Sequence, residues 1–190
     1  EATLDRIDAR EAEIHAYAHL DRSVALSEAA RLDGAGGDGP LSGESVAIKD
    51  IFDTADLPTG RGSPIYDGHR PPRDAAAVAA IRAAGGLVIG KSVTTEFAHL
   101  TPGPTRNPHD AARTPGGSSS GSAATVAAGG ATLATGTQTA GSIVRPAAPE
   151  SPRRSRCPGR AGGRAPARSP GGSSCPCSAP SCWRRSWRRP

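Results

Sequence analysis

"DAAAVAAIRAAGGLVIGKSV", residues 74–93, joins a run of strong helix formers to a β-branched run through two glycines. Asp74 is placed to cap a helix over 74–86, and Gly85-Gly86 supply its stop. "LVIGKSV", 87–93, then reads as a strand. Upstream, "SVAIKDIF", 45–52, is a short apolar run interrupted by one lysine and reads as a buried strand. Strand, helix, strand in this order predicts an α/β fold, a sheet flanked by helices. Outward from this unit, residues 1–8 look like the end of a helix with Leu4 and Ile7 three apart, and 22–32 read as another helix. "DGAGGDGP", 33–40, is a solvent loop, residues 118–130 a further helix, and 131–138 a strand leading into 139–148.

Charge divides the chain. Of 23 Lys+Arg and 18 Asp+Glu, residues 149–190 hold ten Arg and one Glu, so residues 1–148 carry 13 basic against 17 acidic residues. An acidic body argues against a nucleic-acid-binding core, and nucleic acid is not expected as its partner. Residues 149–190 also hold all four cysteines and both tryptophans, and no Ile, Leu, Val, Phe or Tyr. Such a segment buries almost nothing, so a disordered tail is expected. No signal peptide and no apolar run of about 18 residues is visible, which favours a cytoplasmic protein without a membrane association. The chain starts at Glu1 and contains no methionine, so its natural N-terminus is expected to lie upstream.

The stretch "TPGGSSSGSAATVAAGG", 114–130, admits three readings. A Gly/Ser linker is normally followed by more linker, whereas these serines run into helix-forming alanines. A phosphate loop of the GxxxxGK[ST] type needs a lysine, and none follows Gly121. The third reading is a turn that presents backbone N–H groups and hydroxyls at a helix N-terminus, where developing negative charge is favoured. Taken singly, Ser142 reads as a turn residue and Lys49 as a snorkelling edge residue. The five histidines show no metal-ligand spacing, so no metal and no cofactor is expected.

In combination these residues are specific. Lys49 in "VAIKD", Ser118 in "GGSSSGSA" and Ser142 in "GTQTAGSIVRPAA" resemble the amidase signature family of serine hydrolases, with 24 residues from Ser118 to Ser142 and 93 from Lys49 to Ser142. The resemblance covers residues 1–148, includes "GKSVTTEFA" (90–98) and "NPHD" (107–110), and is greatest to malonamidase-like members. It implies a mixed β-sheet flanked by helices and hydrolysis of the C–N bond of a small-molecule amide. Ser142 would be the nucleophile, Ser118 the proton relay and Lys49 the general base, the lysine kept neutral by burial. The family's relay serine follows a cis peptide bond, which here would join Gly117 to Ser118. Backbone N–H groups of Thr139, Ala140, Gly141 and Ser142 would form the oxyanion hole. Ala140 departs from the family's glycine, and its methyl would crowd the turn or force a strained φ. Thr137 and Gln138 would line the substrate pocket or only cap the strand. Arg145 would clamp a substrate carboxylate or pair with a structural one.

After "RPAA" the resemblance stops. The alphabet of residues 149–190 is what a GC-rich gene yields in the wrong reading frame, so a frameshift or gene-model error near Ala148 is expected, leaving an N-terminal half with an incomplete sheet and impaired activity. Two alternatives stand beside the amidase: the A subunit of a glutamine-dependent tRNA amidotransferase, and a non-catalytic fragment whose basic tail binds RNA or other acidic partners. A homodimer is the oligomer considered.

Overall fold

The computed structural model describes residues 1–36 and 39–150. Of the tail expected to be disordered over 149–190, residues 149 and 150 fall in the last turn of α6, and the rest lies outside the described residues. The elements in chain order are α1 (Ala2–Asp8), α2 (Glu11–Ile14), β1 (Tyr17–His19), α3 (Arg22–Gly34), β2 (Ser45–Lys49), α4 (Ala76–Ala83), β3 (Leu87–Ser92), α5 (Ser120–Ala127), β4 (Leu133–Ala134) and α6 (Val144–Glu150). Short 3₁₀ turns lie at Pro64–Tyr66 and Glu96–Ala98. No helix among the described residues is long and apolar enough to cross a membrane.

The expected strand–helix–strand unit is present as β2, α4 and β3. Strands β2 and β3 are parallel, with Ser45 opposite Leu87 and Lys49 opposite Ser92. The helix between them is shorter than 74–86 and has a different cap. Asp74 does not close its N-terminus, which begins at Ala75 without a side-chain cap. Its carboxylate instead accepts from the Ala55 amide and lies 3.0 Å from Arg82 Nε, so an ion pair and a loop contact win over the cap. The stop is as read: Gly85 N–H donates to Arg82 O and Gly86 N–H to Ile81 O, closing the last turn. At α3 an aspartate does cap, with Asp21 accepting from the amides of Ser23 and Val24.

The sheet order is β1-β3-β2-β4, with β1 antiparallel to β3 and β4 parallel to β2, so the sheet is mixed. Both of its faces are covered. Leu4, Ile7 and Ala25 pack with Ala47 and Ile89 on one face, while Val78 and Leu57 pack with Val46, Ile48 and Val88 on the other. Each full burial of a Val or Ile side chain contributes about 1.5–3 kcal/mol, which concentrates stability in β2 and β3. Every residue of β2 is buried, Lys49 included.

Boundaries at the other end of the sheet differ from the sequence reading. The strand expected over 131–138 is two residues long, Leu133–Ala134, because only its start pairs with β2. The helix expected over 118–130 runs Ser120–Ala127, and the strand expected to reach Phe52 ends at Lys49, where amides of Ile51 and Phe52 turn back to the Lys49 carbonyl. Gly121 lets α5 sit directly on its neighbours: a Cβ there would overlap Ala16 O and Val93 N.

Candidate active site

Lys49 ends β2, at the carboxyl edge of a parallel strand pair where open α/β sheets place their ligands. Side chains alternate along a strand, so Lys49 follows Ser45 and Ala47 onto the face that α5 covers. There its amine meets only hydroxyls: Nζ lies 2.7 Å from Ser118 Oγ, 3.0 Å from Ser119 Oγ and 2.7 Å from Thr137 Oγ1. The amine and the two serines are buried. With no carboxylate to hold its proton, burial brings the Lys49 pKa down to about 8. A neutral amine can accept the Ser118 hydroxyl proton along the same 2.7 Å line.

The loop before α5 is fixed from three directions. The peptide bond between Gly117 and Ser118 is cis. The Ser118 carbonyl accepts from the Thr95 amide at 3.1 Å, the Gly117 carbonyl accepts from Arg145 Nη2 at 2.9 Å, and the Ser119 amide donates to the Ser142 carbonyl at 3.0 Å. Ser119 stands at the N-cap of α5, but its hydroxyl faces Lys49 instead of capping the helix. Ser120 and Ser122 turn toward β3, where Ser122 Oγ lies 2.8 Å from Ser92 Oγ.

Ser142 is brought to this loop through its backbone. Among the described residues no hydrogen bond joins its Oγ to Ser118. The half-buried Ser142 sits in the turn that enters α6, whose first amides are held by Gln138: its Oε1 accepts from Ile143 and Val144, both at 3.0 Å. Gln138 therefore caps a helix and is exposed, rather than capping the strand. Pro146 fits the third position of α6, where its missing N–H would have had no helical acceptor. Positive φ in the turn falls on Gly141 (147°), and Ala140 is not among the residues at positive φ, so its methyl does not force the strain expected of it. The amides of Thr139, Ala140, Gly141 and Ser142 donate to no acceptor among the described residues. Arg145 pairs with no carboxylate there and is engaged instead by Gly117 O.

Of the four serines in 114–130, the sequence motif singles out Ser118 alone. Ser119 is a second lysine partner, and Thr137, read as a pocket or capping residue, is a third. Beside them a cleft of about 500 Å³ opens between α5, β4 and α6, lined by Ser119, Val126, Ala134, Thr135, Gly136 and Ile143 among others.

A sequence model described as Amidase matches residues 1–151, and the chain belongs to this family. Its mixed sheet with helices is the amidase fold of its structural neighbours. The chain is 48% identical over 157 residues to the A subunit of the glutamyl-tRNA(Gln) amidotransferase of Acidothermus cellulolyticus, spanning 77% of this chain and 31% of the relative. The corresponding protein of Thermobifida fusca is 47% identical, over 78% of this chain and 32% of its own length. Among solved structures, the peptide amidase of Stenotrophomonas maltophilia superposes with a TM-score of 0.72 at 40% identity, over 77% of this chain and 34% of that one. The chain thus spans about a third of the length of the curated relatives it matches, less than the half expected from sequence.

Proposed function

We propose that this chain carries the nucleophile, relay and base of an enzyme that cleaves the C–N bond of a small-molecule carboxamide. The observation that carries the reading is the buried Lys49 amine at 2.7 Å from Ser118 Oγ, lowered to about 8 with no carboxylate partner. As Ser142 Oγ bonds to the amide carbon, Ser118 takes its proton and passes its own to Lys49. Collapse of the tetrahedral intermediate breaks the C–N bond, and the same relay returns a proton to the departing nitrogen. Water then repeats the sequence on the acyl-enzyme. The amides of Thr139–Ser142, unpaired among the described residues, are the donors for the oxyanion, and Thr137 holds the amine in line. Arg145 keeps N–H groups besides the one given to Gly117 O, which suits a substrate carboxylate at that side.

A second reading, the A subunit of a glutamyl-tRNA(Gln) amidotransferase, is favoured by relatives of that name at 44–48% identity. It makes glutamine the amide and other subunits the partners.

The test is covalent labelling of the full chain with a fluorophosphonate, followed by peptide mapping. Label on Ser142, lost in Ser142→Ala, is expected. Label on another serine of the folded chain, or none at all, would remove Ser142 from this role. Ammonia release from glutamine but not from simple aliphatic amides would select the second reading.

A further inference from the structure

The sequence contains two lysines, Lys49 and Lys91, and both are fully buried. They lie on neighbouring strands one step out of register, Lys49 opposite Ser92 and Lys91 opposite Ile48, so their side chains leave the sheet on opposite faces. Their surroundings differ in kind. Lys49 meets three hydroxyls, whereas Lys91 Nζ lies 3.0 Å from Asp50 Oδ1 and donates to Thr59 Oγ1 at 2.6 Å and to Pro58 O at 3.1 Å.

Asp50 is the residue directly after Lys49, and it is buried too. Its amide donates to Ser92 O at 2.9 Å, and its Oδ2 accepts from the Gly60 amide at 3.1 Å. The pair therefore ties the ends of β2 and β3 to the loop 58–60, on the face of the sheet opposite the Lys49 side chain. The other charged or titratable groups around Lys91 are accounted for. Asp53 is paired with Arg61 at 3.3 Å, Asp56 with Arg82 at 2.7 Å, and His19 stands opposite Lys91 on β1. On the Lys49 side the neighbours are Ser118, Ser119 and Thr137.

A buried Asp50 without its partner would be an uncompensated negative charge on the residue next to Lys49, and it would favour the ammonium form of that lysine. We propose that Lys91 is a positioning residue for Lys49: by neutralising Asp50 and pinning it to the 58–60 loop, it leaves the Lys49 amine with no carboxylate to hold its proton. The inference rests on reading Lys49 as the proton acceptor. Burial pushes both amines below the ordinary lysine range, and Asp50 offsets that push for Lys91 alone.

Two lysines make the test direct. The full chain, prepared with ¹³Cε-labelled lysine, gives two lysine signals, assigned by Lys49→Met and Lys91→Met. In the wild-type chain the Lys49 signal is expected to titrate first, near 8, while Lys91 still reads as an ammonium. Lys91→Met should raise the Lys49 midpoint by about one unit, and Asp50→Asn, which leaves the Lys91 charge unbalanced, should lower it by about one unit. Lys91→Arg keeps the charge and should hold the midpoint within a few tenths of a unit. A purely structural role would hydrate Lys49 in both neutralising variants and raise its midpoint in both. Shifts of the same sign in Asp50→Asn and Lys91→Met would therefore overturn the proposal, as would Lys91 losing its proton before Lys49 in the wild-type chain. The wild-type order decides alone if neither variant folds. Because no activity is read, a failure of Ser142 as nucleophile is distinguishable from a failure here.

Discussion

The β2–β3 region and the β4–α6 region bear the two ends of one proposed proton path, yet they are built differently. Lys49 ends a strand buried along its whole length and reaches three hydroxyls from within the core. Ser142 sits on a turn beside a two-residue strand, next to exposed Ile143 and Val144, and is held by a glutamine cap and one backbone bond. Lys49, the proposed base, is therefore set by burial in the sheet, whereas Ser142, the proposed nucleophile, is set by local hydrogen bonds at the sheet's edge. That edge borders the apolar cleft, in a chain that spans about a third of its relatives' length.

The largest break of this contrast is Ile48→Ala. Ile48 is fully buried between α4 and the strands, and its truncation should cost about 2–5 kcal/mol in denaturant unfolding. Next comes the pH dependence of Lys49. Its amine is about 8 folded against an ordinary 10.5, so the unfolded chain binds more protons between these values. Stability should therefore rise with pH from about 8 upward. This group contributes an increment on the order of 3 kcal/mol between pH 7 and 10.5, and the increment should disappear in Lys49→Met. Gln138→Ala removes the cap of α6 and should cost about 1 kcal/mol, a local loss at the turn that carries Ser142. The smallest effect is at the edge itself: Leu133, 43% exposed on β4, should tolerate Leu133→Ala within about 0.5 kcal/mol.

What was legible in the sequence follows the same division. The unit β2, α4, β3 could be read because apolar runs and a double-glycine stop carry period and boundary information, and burial on both faces keeps those signals dominant. The three-residue β1 and two-residue β4 are too short to carry a period, and they exist because long-range pairing with β3 and β2 selects them. The start of α6 was hidden by its prolines, and its cap lies on Gln138, a side chain five residues before Ile143. At the site, Lys49 and Ser118 were named from their motifs and lie within hydrogen-bond distance. Ser119 was not named, since four hydroxyls in one Gly/Ser stretch look alike until the end of β2 selects among them. The pairing of Asp50 with Lys91 was equally invisible, because it depends on strand register across some 40 residues.

In the proposed mechanism the neutral form of the buried Lys49 drives Ser142 through Ser118. The rate of fluorophosphonate labelling at Ser142, followed from pH 6 to 10 on the folded chain, tests it most directly. The rate should climb through a single inflection near 8 and fall at least about 100-fold in Lys49→Ala. A rate that is flat across that range, or unchanged in Lys49→Ala, would contradict it.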